Sequence, residues 1–347
     1  MRVERVTPGK RAPARLAGSI LARDLAIGGA RWSKGRRLTA DDLLALAAAA
    51  PGDPVSVLIP EGGELHEDDA ALRLASAVAG PGLTVRGPAQ SRVDLLAEAH
   101  GVANVRVADL ERVNRIDPLE VFTVFDGQIV EKGELVASVK VAPHLVEAAT
   151  VDEGARLAGF GSNPLVWVAP FVPRRVGVIV KESVRATARD RFEASVRAKV
   201  EGLGSTIASI DYVEDDTDAV ETAMAALVRG PEAVELILTA GAASTDPLDP
   251  CFVAITSLGG RVVRRGVPAH PGSMLWLARI GRTAILGLPT CGAYSKATAA
   301  DLLLPRLLSG DDASERTVAK LGHGGILTRS QRFRFPAYAR ELDAPDG

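Results

Sequence analysis

The chain has 347 residues, 47% of them hydrophobic and 24% charged, which allows two domains with separate cores and excludes wholesale disorder. A net charge of -2 with interleaved signs, and aromatics at only 4%, exclude a basic nucleic-acid groove lined with stacking rings. The amino terminus is charged and has no signal-peptide core, and no helix-like apolar run approaches the roughly 18 residues of a membrane span, so a cytoplasmic protein without a membrane partner is expected.

In chain order, Thr39 is placed to cap a helix over residues 40–50, with Asp41 and Asp42 in its first turn and Pro51-Gly52-Asp53 ending it. Residues 55–59 read as a short strand. Glu67-Asp68-Asp69 starts a second helix whose Ala71, Leu72, Leu74, Ala75 and Val78 form a buried stripe, and Gly80-Pro81-Gly82 stops it. A third helix is expected over residues 91–99. Strands follow over 121–124, 128–130 and 135–141, joined by the turn dipeptides Asp126-Gly127 and Lys132-Gly133. Residues 1–150 are therefore expected to form a mixed α+β, partly β-rich module, with a Gly- and Pro-rich connection over 151–175.

From Val176 strands and helices alternate regularly: strands over 176–180, 206–213, 234–239 and 261–267, and helices over 187–202, from Asp216 to Arg229, and from the 239–250 loop to about Leu258. A hairpin over 273–279 and 283–288 turns at Ile280-Gly281-Arg282, and a last helix covers 295–308. Repeated alternation predicts an α/β domain over 176–310, a mostly parallel sheet between helices in three layers. Residues 311–347 are expected to form a charged, irregular tail.

Ligands of such sheets bind beyond the carboxyl ends of the strands, where three loops stand out. The first, Thr239-Ala240-Gly241-Ala242-Ala243-Ser244-Thr245-Asp246-Pro247-Leu248-Asp249-Pro250, has small residues that let a phosphate reach backbone amides. Asp246 and Asp249 can hold Mg²⁺ on that phosphate. The alternative is a tight loop with Asp249 as helix cap. The second, His270-Pro271-Gly272-Ser273, is either a plain turn or a cleft wall offering the Gly272 amide and Ser273 hydroxyl. The third, Leu286-Gly287-Leu288-Pro289-Thr290-Cys291-Gly292-Ala293-Tyr294-Ser295-Lys296, ends at a helix start with Ser295 as cap and Lys296 within reach of phosphate. Cys291 there is either a thiol activated by the helix start or a small buried one. The cysteines, Cys251 and Cys291, form no zinc motif, and the five histidines have no metal-ligand spacing. His66-Glu67-Asp68-Asp69 reads as an acidic helix start rather than a metal site.

The order of these loops resembles the molybdopterin-binding domain of MoeA-like and MogA-like proteins of molybdenum cofactor biosynthesis. The matching features are Thr239-Ala240-Gly241 leading to Asp246, then Pro271-Gly272, then Gly287-Leu288-Pro289-Thr290, with Asp216 as a further acidic position. The pattern looks closest to a subgroup sometimes fused to a MobA-like nucleotidyltransferase, and extends loosely through Lys34-Gly35-Arg36, Glu67-Asp68-Asp69, Asn114-Arg115-Ile116-Asp117-Pro118 and Val139-Lys140. The resemblance implies molybdopterin or its adenylylated form as ligand, with Mg²⁺ and molybdate as further candidates. It also implies molybdate insertion by a transferase, with Asp246 and Asp249 catalytic, or a carrier or sensor serving a molybdoenzyme client, and a homodimer. A third outcome keeps the fold and takes another phosphorylated heterocycle. The departures are Ala240 for a glycine, Thr245-Asp246-Pro247-Leu248-Asp249 for a Gly-Asp-Tyr-Asp-like stretch, Ser273 for a lysine, and Thr290-Cys291-Gly292 for a Gly-Asn-Pro stretch.

Overall fold

The computed structural model describes residues 1–89, 91–159, 163–181, 186–231, 233–288, 297–312 and 314–340. The chain divides into two compact units: Met1–Ala99, Ala103–Asp126 and Lys132–Val168 form one, and His100–Val102, Gly127–Glu131 and Ala169–Gly347 the other. Among the described residues no helix is long and apolar enough to cross a membrane.

In the first unit, Thr39 caps the helix Ala40–Ala48 through a reciprocal box with Asp42, satisfying amides that the helix start leaves open. A second helix, Glu67–Val78, buries Ala71, Leu74, Ala75 and Val78, the stripe read from the sequence except for half-exposed Leu72. A four-stranded antiparallel sheet runs in the order Leu119–Thr123, Leu135–Val141, Arg92–Ala97, Leu83–Ala89. The expected helix over 91–99 is thus a strand. Leu, Ala and Glu favour a helix there, but Val93, Leu95 and Ala97 are buried at alternate positions, and strands pair on both sides. Tertiary pairing overrides local propensity. Residues 151–175 carry most of a helix, Ala148–Ala158, and a strand, Val166–Pro170.

The second unit contains β1 (Arg175–Val180), α1 (Ala186–Glu201), β2 (Thr206–Tyr212), α2 (Thr217–Arg229), β3 (Leu236–Ala240), α3 (Pro250–Ser257), β4 (Arg261–Arg265), β5 (Trp276–Ile280), β6 (Thr283–Gly287) and α4 (Ala300–Leu308). One six-stranded sheet runs β2-β1-β3-β6-β5-β4. β2, β1, β3 and β6 are parallel, and β5 and β4 complete it antiparallel. One face packs Phe192, Val196 and Val200 of α1 and Leu303, Leu304 and Leu308 of α4 against Val176, Val178 and Leu238. The other packs Val220 and Met224 of α2 and Cys251, Phe252 and Ile255 of α3 against Ile179 and Ile237. The two cores make the three-layer α/β architecture that the alternation predicts.

Described residues after Gly310 join the first of these cores. A short helix, Glu315–Lys320, buries Val318, and Leu321, Leu327, Phe335 and Ala339 pack into the same cluster as α1 and α4. Behind them Lys199 of α1 and Asp301 of α4 form a fully buried ion pair at 2.5 Å. The Tyr338 ring lies 5.5 Å from that ammonium. A charged pair this deep requires close partners, and the carboxyl-terminal segment supplies one wall of its enclosure.

Candidate functional site

The register fixes which loops share an edge. Asp211 pairs with Ile179, Ile179 with Thr239, Thr239 with Gly287, and Gly287 with Trp276. The ends of β1, β2, β3 and β6 and the start of β5 therefore lie along one border of the sheet. The loops carrying Lys181, Asp215 and Asp216, residues 241–249, residues 270–273 and Leu288 all emerge there, the edge at which parallel sheets bind ligands.

The 241–249 loop is organised by Asp249. Its Oδ1 accepts the Cys251 amide at 2.9 Å and caps α3, with Pro250 at the first helical position. Its Oδ2 accepts the Ala243 amide at 2.6 Å and the Lys181 ammonium at 2.8 Å. Lys181 Nζ also donates to Asp215 at 2.7 Å. The side chains of Lys181 and Asp249 are 3% and 1% exposed, whereas that of Asp215 is 66% exposed. Burial pulls the lysine pKa down, but the two carboxylates outweigh it and hold the ammonium above its ordinary value. Beside them, burial first and the Asp249 charge second push the Cys251 thiol up to about 12, so it is no nucleophile.

This geometry does not fit the Mg²⁺ site expected from Asp246 and Asp249. Both Asp249 oxygens are engaged and a cation already sits against one of them, whereas Mg²⁺ demands free oxygens in a near-octahedral shell. Asp246 is exposed, and its Oδ1 accepts the Leu248 amide at 2.9 Å within the loop. Among the described residues no cluster of three or more His, Cys, Asp or Glu side chains could hold a metal ion.

The same border does fit an anionic, hydrogen-bonding ligand. No partner is seen among the described residues for the amides of Ala242, Ser244 and Thr245, which lie in a stretch of small side chains. Thr239 is 1% exposed, and its hydroxyl has no hydrogen-bond partner among the described residues.

Asp216 caps α2, accepting the Asp218 amide at 2.9 Å and the Ala219 amide at 3.1 Å, with its neighbour Asp215 on Lys181. Pro271 and Gly272 are buried, and the Pro271 carbonyl accepts the Ala299 amide at 2.9 Å. Gly272 has φ +104°, and a methyl group there would lie 2.8 Å from Ala299 N, so only glycine suits the position. Ser273, half-buried, accepts the Val267 amide on its carbonyl and keeps its side chain at the border. Gly287 lets Trp276 lie flat beside it, since a methyl group would fall 2.1 Å from the indole. Pro289, Thr290, Cys291, Ser295 and Lys296 lie outside the described residues.

The sequence reading missed Lys181 and Asp215. The signal was a single charge placed directly after the apolar strand Val176–Val180, at the edge where ligands bind. The upstream motifs of the first unit prove internally bonded. Arg36 bridges Asp42 at 2.7 Å, Glu67 holds His144 at 2.9 Å, and Asn114 exchanges two 2.8 Å hydrogen bonds with the Val121 backbone.

Comparison with known families gives the border a context. Residues 175–309 match a family described as a probable molybdopterin binding domain, and this segment is a domain of that family. No curated protein matches the chain. Among solved structures, the molybdopterin biosynthesis MoeA protein from Pyrococcus horikosii is 14% identical, with 75% of this chain and 81% of that one covered at a TM-score of 0.30. The molybdopterin biosynthesis enzyme MoaB from Thermus thermophilus is 19% identical, covering 43% and 97% at a TM-score of 0.28. The family match over 175–309, not these distant overlaps, carries the assignment.

Proposed function

We propose that the chain binds molybdopterin, free or adenylylated, at the strand-end border of its second unit, as a step in molybdenum cofactor biosynthesis or handling. The membership of residues 175–309 in a molybdopterin-binding family carries this reading. The amides of Ala242, Ser244 and Thr245, without a partner among the described residues, support it, because they suit a phosphate. In this reading Thr239, Gly241, Ser244, Gly272 and Ser273 line the pocket, with Gly287 and the capping Asp216 shaping its floor. Pro271 sets the turn that presents Gly272, and the family resemblance adds Pro289, Thr290, Ser295 and Lys296 to the phosphate grip.

Binding is favoured over molybdate insertion by one observation. The carboxylate best placed to share a metal with Asp246 is Asp249, which is already committed to Lys181 and to two amides. Transfer at phosphate needs a metal beside the leaving group, and the Asp249 carboxylate of this loop is not free to hold one. A carrier or sensor that delivers the cofactor to a client enzyme is therefore the preferred form of the proposal.

The deciding experiment is Asp246→Ala, assayed anaerobically for molybdopterin affinity and for molybdate insertion. A carrier keeps its affinity within about tenfold, roughly 1.4 kcal/mol, and neither native protein nor variant inserts molybdate. Insertion by the native protein that disappears in the variant would establish the transferase instead.

A further inference from the structure

Lys181 is a buried cation with no place in the expected site, and its surroundings explain why. It follows the last residue of β1 and reaches across the border to two carboxylates contributed by the ends of other elements. Asp249 is almost completely buried, and a carboxylate in that environment must be neutralised or strongly hydrogen-bonded. Lys181 and the two amides of Ala243 and Cys251 do both. The same contacts join the end of β1, the start of α3 and the middle of the 241–249 loop, so the ammonium fixes the height at which the loop amides stand above the sheet. A divalent ion bridging Asp215 and Asp249 would have to displace the ammonium and leave it buried without a counter-charge.

We propose that Lys181 is a resident cation of the site, a positioning residue that stands where a divalent metal would otherwise bridge Asp215 and Asp249 and that sets the 241–249 loop for a ligand bound without magnesium. The ligand's identity rests on the molybdopterin reading above, but the metal chemistry does not. Removing the ammonium while keeping both carboxylates should turn the pair into a metal site. Lys181→Met does this, and Lys181→Gln does it with less change in polarity if the first variant fails to fold. Lys181→Arg keeps the charge and should behave as native protein.

The test uses Mn²⁺ as a paramagnetic stand-in for Mg²⁺, titrated into the full chain without pterin and followed by the loss of its free electron paramagnetic resonance signal. The native protein and Lys181→Arg should show no site tighter than about 100 μM, the weak end of oxygen-ligand sites. The folded Lys181→Met or Lys181→Gln protein should bind one Mn²⁺ per chain at least tenfold more tightly than native. A tight native site that Asp249→Asn abolishes, or no gain in the folded Lys181 variants, would overturn the proposal. A second arm measures molybdopterin binding to the native protein with Mg²⁺ and with EDTA. Equal affinities support the proposal, and affinity lost in EDTA overturns it. Absence of pterin binding under both conditions would remove the molybdopterin reading and leave the Mn²⁺ result to decide the role of Lys181.

Discussion

The Lys181–Asp249 pair allows a stability prediction with a worked magnitude. Lys181→Met strands the Asp249 carboxylate, 1% exposed, with only the Ala243 and Cys251 amides for support. Breaking a buried ion pair from one side costs about 3–5 kcal/mol, and the surviving amide bonds place this case near 3 kcal/mol. Asp249→Asn keeps an oxygen for the helix cap and leaves Lys181 with Asp215, so about 2 kcal/mol is expected. The double variant strands neither charge, and its cost should fall about 2 kcal/mol short of the sum of the two singles. Asp215→Asn, at a side chain 66% exposed, serves as the control and should cost no more than about 1 kcal/mol. Urea unfolding followed by tryptophan fluorescence is the assay. Trp276 reports on this region, because its ring lies 4.9 Å from that of Phe252 in α3. A Lys181→Met protein within about 0.5 kcal/mol of native, or singles that add without coupling, would refute the reasoning.

Three further predictions concern two single positions and one segment. Gly287→Ala places a methyl group 2.1 Å from the Trp276 indole, so overpacking should lower stability by about 1–3 kcal/mol, seen as a lower Tm and an altered near-ultraviolet spectrum; an unchanged Tm would contradict the packing described. Cys251, with its thiol pushed up from 9.0 to about 12, should resist thiol reagents in the native protein at pH 8, as checked by peptide mapping. Because the unfolded thiol loses its proton first, its contribution to stability is complete below pH 9 and declines as pH rises toward 12, so a urea midpoint that rose over that interval would count against the assignment. Deleting residues 311–347 uncovers the core at Leu303, Leu304 and Leu308 and opens the Lys199–Asp301 pair, so the shortened chain should lose cooperative unfolding, whereas native-like melting would show that the segment is dispensable.

The α/β unit was legible because its strands are short apolar runs and its helices repeat their apolar positions at helical spacing. Asp216 followed from capping rules and does cap its helix, whereas Asp249, expected to hold a metal, takes the capping role that was its alternative reading. Residues 91–99 misled because Leu-Leu-Ala-Glu-Ala has helix-forming composition. The buried Val93, Leu95 and Ala97 acquire meaning only when neighbouring strands are present on both sides. The pairing of Lys181 was invisible for a different reason. Its partners lie 34 and 68 residues away, and no local pattern couples a lysine at one strand end to acids at two others. The same holds for Lys199 and Asp301, 102 residues apart. Turn chemistry and periodicity are local, whereas charge neutralisation in a core is set by the tertiary arrangement.

Anaerobic titration calorimetry of molybdopterin into the intact protein decides whether the strand-end border holds a pterin. Binding of one pterin per chain is expected at micromolar affinity or tighter, weakened when Ser244 or Gly272 is replaced. A folded protein that gives no heat with molybdopterin would contradict it, and would mean that residues 175–309 keep the family's scaffold without its ligand.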